Sequence, residues 1–134
     1  MKYLKDHHFV YKCTYHVVFC PKYRRRILKD GIDTRLKEMI LEIADKKGFE
    51  VIEMEVMPDH VYLLLSLHPS LGPLDIIKTI KRTTAINLKK EYPEINHKLP
   101  NLWTRSAFIA TTGSVSLDVV KDYIQNQKKL SKRR

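Results

Sequence analysis

The strongest constraint on this fold is the run His60-Val61-Tyr62-Leu63-Leu64-Leu65-Ser66-Leu67 and the two residues before it. Side chains alternate across a strand, so Val61, Leu63, Leu65 and Leu67 share one purely aliphatic face. His60, Tyr62, Leu64 and Ser66 take the other. Pro58-Asp59 is turn chemistry, and Phe49 to Met57 before it reads as another strand. So short a connection makes the two strands antiparallel. His60 and Tyr62 therefore stand together on the non-core face, roughly 6–7 Å apart. A His–apolar–His pattern there would pair two imidazoles as metal ligands, but Tyr62 occupies the second position.

The remaining elements follow from periodicity. Val10 to Cys20 reads as a strand ended by Pro21, with Lys22-Tyr23-Arg24-Arg25-Arg26 as a basic loop. Asp33 reads as the N-cap of a helix carrying Leu36, Met39, Ile40 and Ile43, which Gly48 closes. After a loop from Pro69 to Pro73, a second helix runs from about Leu74 to Lys90, with Ile76, Ile77, Ile80, Ile86 and Leu88 as its apolar positions. Tyr92 to Pro100 reads as irregular and Leu102 to Thr112 as a strand. Gly113-Ser114 turns the chain into a last helix, from about Ser116 to Leu130, with a basic tail behind it. The order β-α-β-β-α-β-α predicts an α+β fold over residues 1–134, one domain: a ferredoxin-like or RRM-like antiparallel sheet with helices packed on one face. The other face is then free for a ligand or a partner subunit.

Charge narrows the partners. Twenty-five Lys and Arg against fifteen Asp and Glu give a formal net charge of +10. That favours an anionic partner, nucleic acid before an acidic membrane surface. No apolar run is long enough to span a membrane, and the first ten residues lack a signal peptide's apolar segment. Cys13 and Cys20 fall on opposite faces of one strand and are not expected to pair, so the chain reads as cytoplasmic with reduced thiols. The candidates for phosphate contacts are Arg24, Arg25 and Arg26 in the basic loop, which form the leading set, then Lys78, Lys81 and Arg82 on the second helix, and Arg105. For any one helix lysine, a solvated face is the simpler reading. Trp103 reads as core or interface.

In the last helix, Tyr123 and Gln127 are one turn apart on one face, about 5–6 Å apart at Cβ. Pattern alone makes Tyr123 an amphipathic border residue. A wider likeness gives the pair more meaning. Lys12 to Arg24, Glu55-Val56-Met57-Pro58-Asp59-His60-Val61 with its leucine run, Leu102-Trp103-Thr104-Arg105-Ser106 through Gly113, and Tyr123-Ile124 with Gln127 together resemble the HUH-class, single-tyrosine transposases of small insertion sequences. The likeness covers nearly the whole chain, in order.

The resemblance implies cleavage and rejoining of single-stranded DNA at the ends of a mobile element. Tyr123 matches the nucleophile, which becomes joined to the 5′ phosphate and leaves a free 3′ hydroxyl. His60 and Gln127 match two of three ligands of a divalent cation, Mg²⁺ or Mn²⁺. It also implies a homodimer whose active site can be shared between subunits, and DNA partners with subterminal hairpins. Tyr62 departs from the pattern. A neutral phenol is a poor ligand for such a cation, so the chain is expected to fold and bind DNA but cleave poorly. Glu55, Asp59 and His68 are candidates to complete the site, although Asp59 and His68 have the wrong parity or distance. The alternative reading is a hairpin-binding module for DNA, or RNA, without chemistry.

Overall fold

A computed structural model describes residues 4–5, 8–99, 101–111 and 117–132, with backbone alone at 98, 117, 118 and 128–132. The expected turn at Gly113-Ser114, the helix start at Ser116 and the tail end at Arg133 and Arg134 lie outside the described residues. The elements are β1 (Leu4–Lys5), β2 (Val10–Tyr11), β3 (Thr14–Phe19), a 3₁₀ turn (Lys22–Arg24), α1 (Ile32–Lys47), β4 (Glu50–Met57), β5 (His60–Ser66), α2 (Pro73–Glu91), α3 (Glu94–Lys98), β6 (Phe108–Thr111) and α4 (Leu117–Lys132). Four strands form one antiparallel sheet in the order β4-β5-β3-β6, while β1 and β2 make a separate two-stranded ribbon.

Local chemistry explains the boundaries. Gly48 closes α1 in a left-handed conformation, φ 77°, and its N–H returns to the Ala44 carbonyl. Gly31, also left-handed, is the N-cap, which corrects the expected cap at Asp33. Asp33 lies in the first turn instead, where its charge suits the helix dipole. The expected strand from Val10 to Cys20 divides into β2 and β3. The expected last strand shortens to β6, and the chain before it joins the sheet edge only through a bridge from Trp103 to Pro21. Within the stretch read as irregular, α3 forms.

One face of the sheet carries the core. Val17, Phe19, Val61, Leu63, Leu65 and Leu67 pack there against Leu36, Met39 and Ile40 of α1 and Ile76, Ile77, Ile80 and Leu88 of α2. Each large side chain so buried contributes roughly 1.5–3 kcal/mol. Ile86 does not join them and is half exposed. At about 100° per residue it lies some 240° round the helix from Ile80, off the buried stripe. A register shift between Val51 and Glu53 bulges β4, so Val51 and Met54 both reach the core.

The opposite face carries Thr14, His16, Val18 and Cys20 beside His60, Tyr62, Leu64 and Ser66, with Phe108 at the β6 edge. The Tyr123 ring lies 5.8 Å from that of Phe108, so α4 packs on this face, not with α1 and α2. The face expected to be free is thus partly covered, and Val18 and Cys20 beneath have no exposure.

Candidate active site

His60 opens β5 directly after the turn. Its Nδ1 lies 2.9 Å from Asp59 Oδ1. Asp59 Oδ2 in turn pairs with Arg24 Nε at 3.4 Å. A carboxylate holding one ring nitrogen fixes the imidazole and leaves Nε2 as the available donor atom. In this geometry Asp59 holds the imidazole ring of His60. Arg24 reaches back because Tyr23 and Arg24 both adopt left-handed backbone, φ 60° and 51°. Of the three loop arginines, Arg25 and Arg26 stay exposed and Arg24 is committed to Asp59.

Tyr62 follows on the same face, as parity requires, but its hydroxyl is engaged elsewhere. It lies 2.8 Å from His16 Nδ1 on the neighbouring strand β3. Burial, followed by the negative charges of Glu53 and Glu55, raises the phenol's pKa. A protonated phenol already bonded to a histidine is a weak cation donor. Glu55 sits directly across from Tyr62 in the register and is exposed; His68 bonds Ser70 beyond the end of β5. His16 was not among the residues singled out from sequence, although its parity with Val18 places it on this face.

The second half of the site comes from α4. Ser106 Oγ donates to Gln127 Oε1 at 2.7 Å and lies 3.1 Å from the Tyr123 hydroxyl. Gln127 is almost wholly buried. Burial pushes the Tyr123 phenol up to about 12; hydrogen bonds with Ser106 and Thr104 lower it, while nearby Cys20 raises it. The chain around Ser106 is itself fastened. Lys81 Nζ, reaching from α2, donates to the carbonyls of Thr104 at 2.6 Å and Ser106 at 2.9 Å. Burial brings that ammonium down to about 8.

Cys20 lies between the two halves. Burial pushes its thiol up to about 12, with Asp59 raising it further and Arg24 and Lys81 lowering it. One side chain thus feels both the His60 end and the Lys81 end. Among the described residues, no three His, Cys, Asp or Glu side chains converge as a metal site. Of the ligands the resemblance asks for, His60 and Gln127 are suitable donors and Tyr62 is not. The residues present do not fit a three-ligand cation site.

Lys78, Lys81, Arg82 and Arg105 line one open groove of about 480 Å³ between α2 and the 101–105 segment, together with Lys22 and Trp103. Four cations from separate stretches of the sequence therefore share a surface. Trp103 is core: its indole N–H donates to Thr84 Oγ1 at 3.1 Å and its ring meets Phe19 edge-on.

Residues 9–127 match the family model described as IS200-like transposase. The chain is 38% identical over 125 residues to the ISDra2 transposase TnpA of Deinococcus radiodurans, spanning 92% of this chain and 89% of that protein. It is 25% identical over 122 residues to a transposase for insertion sequence element IS200 of Salmonella typhimurium, spanning 90% and 80%. Its fold matches a crystal structure of a candidate transposase from Deinococcus radiodurans with a TM-score of 0.87 at 33% identity, covering 92% and 97% of the two chains. It also matches, in fold alone, a REP-associated tyrosine transposase bound to a REP hairpin, with a TM-score of 0.58 at 17% identity and 92% and 67% coverage.

Proposed function

The chain belongs to the IS200-like transposase family, and from that premise we propose that it binds single-stranded DNA carrying hairpins and uses Tyr123 as the nucleophile of a strand-transfer reaction. The Tyr123 oxygen would attack a phosphodiester, forming a 5′-phosphotyrosine and releasing the 3′ hydroxyl; the reverse attack rejoins the strand. The observation that carries this reading is the Ser106 bridge, which holds Tyr123 and Gln127 together on the sheet face that also bears His60.

His60 and Gln127 are the residues that would hold a divalent cation, Mg²⁺ or Mn²⁺, which when bound would polarise the scissile phosphate. With Tyr62 in the third position the site is incomplete, so cation binding is weak and cleavage slow. The basic groove supplies phosphate contacts through Lys78, Lys81, Arg82 and Arg105, with Arg25 and Arg26 as further exposed cations. A homodimer, with the tyrosine helix serving either its own or the other subunit, is the assembly the resemblance implies.

The test is incubation of the protein with labelled single-stranded DNA and Mn²⁺, followed by denaturing electrophoresis. A covalent adduct that disappears in Tyr123→Phe supports the enzyme. A second reading, a hairpin-binding module without chemistry, draws support from the engagement of Tyr62 by His16. Binding without an adduct, both in this chain and in Tyr62→His, would decide for it. The fold relative solved with a REP hairpin makes a DNA hairpin the first ligand to try.

A further inference from the structure

Ser106 performs no bond-making step itself, yet it touches both groups that α4 brings to the site. We propose that Ser106 is a positioning residue for strand transfer: its oxygen fixes the direction of the Tyr123 hydroxyl, with Gln127 as the anchor whose amide oxygen accepts the serine's own hydrogen bond. This rests on Tyr123 being the nucleophile.

The argument is one of proton counting. An amide oxygen can only accept, and a serine hydroxyl has one proton. At 2.7 Å that proton is committed to Gln127 Oε1. The serine oxygen then meets Tyr123 only as an acceptor, so the phenol donates across the 3.1 Å contact. With its proton turned to Ser106, the phenol's lone pairs point away from the serine, and an incoming phosphorus is attacked through a lone pair. Without that acceptor the O–H is left to turn toward the other hydroxyl in reach, that of Thr104.

The serine is a firm reference point because its own backbone is fixed. Lys81 Nζ holds the Ser106 carbonyl and the Thr104 carbonyl two residues earlier. The Phe108 ring, tilted 50° to that of Tyr123, limits the phenol from another side. A strand, a helix and a lysine from the opposite face of the sheet thus converge on one hydroxyl direction. A misplacement of about 1 Å in a reacting group can cost on the order of 100-fold in rate.

The experiment uses the full chain carrying Tyr62→His, with Ser106→Ala and Ser106→Thr added singly. Single-turnover adduct formation is followed against DNA concentration in Mn²⁺. In Ser106→Ala the rate at saturating DNA falls roughly 10–100-fold, half-saturation is unchanged, and Ser106→Thr recovers most of the rate. Independently of activity, the Gln127 side-chain amide NMR signals, assigned by their loss in Gln127→Glu, move in the alanine variant and stay in place in the threonine variant. Amide exchange over residues 117–132 remains as in the parent.

An unchanged or faster rate in Ser106→Ala overturns the proposal. So does a rise in exchange along all of α4 with no rescue by threonine, which would make Ser106 a packing residue only. If the Tyr62→His parent forms no adduct, the catalytic reading fails on its own. Unmoved Gln127 signals in Ser106→Ala then overturn the positioning role as well.

Discussion

On one side of β3, on the partly covered sheet face, His60 and Tyr62 come from a single strand and owe their proximity to alternation. On the other side, Ser106, Tyr123 and Gln127 come from a connecting segment and a helix, and meet only because α4 docks. The two sides have fared differently. The strand end keeps its geometry but does not offer the donor that the resemblance asks for, since Tyr62 bonds His16. The docked end has its hydrogen-bonding atoms matched: serine to glutamine, phenol to serine. A strand tolerates a changed side chain because its backbone pairing carries the structure. A docked helix holds its side chains in place only where specific partners meet, so a change there alters position as well as chemistry.

The sharpest way to break this contrast is Tyr62→His. If the strand end alone is deficient, adduct formation in Mn²⁺ rises on the order of 10–100-fold, the range typical for restoring a ligand's environment, while DNA affinity in metal-free buffer stays unchanged. An equal rate in the unmodified chain would mean that the phenol is no defect. Next in size, Asp59→Asn in that restored background frees the imidazole of its orienting charge and releases Arg24. About a 10-fold loss of adduct rate is expected, measured beside Tyr62→His alone; no loss would leave Asp59 without a role in holding His60.

Smaller effects come from the groove and the pH profile. Arg82→Ala and Arg105→Ala each weaken binding similarly for all DNA sequences and reduce the salt dependence of log K against log salt by about one. A flat salt response in the parent chain would remove the groove from the DNA surface. Cys20 then gives the smallest effect. Its folded-state pKa, about 12, is raised above the ordinary value of 9.0. The folded chain therefore holds a proton that the unfolded chain has lost, and stability falls as pH rises through that window. Lys81, lowered to about 8 from 10.5, acts oppositely over its own range. Denaturant midpoints between pH 9 and 11 should consequently decline more steeply in the parent chain than in Cys20→Ala, and parallel curves would contradict the burial of the thiol.

The strand end was readable in the sequence because it depends on near neighbours. Val61, Leu63, Leu65 and Leu67 define a face by themselves, and the short Pro58-Asp59 turn fixes the pairing. The core stripes of α1 and α2 were readable for the same reason, except at Ile86, where an apolar residue falls out of phase. What escaped were contacts between distant segments. His16 meets Tyr62 only through strand order β5-β3, and Ser106 meets Tyr123 only through the seat of α4. Arg24 reaches Asp59 through two left-handed residues that are not glycine, a conformation that propensity argues against. Parity takes Asp59 off the face that His60 occupies, but it says nothing about a bond between neighbouring side chains, and Asp59 makes one to His60.

Lys81 lines the groove with its charge and fastens the 104–106 segment with its protons. Under the proposed function, capture of a phosphate chain and the aim of the tyrosine would draw on a single ammonium group. The two tasks cannot drift apart in evolution one substitution at a time, because any change at Lys81 alters both at once.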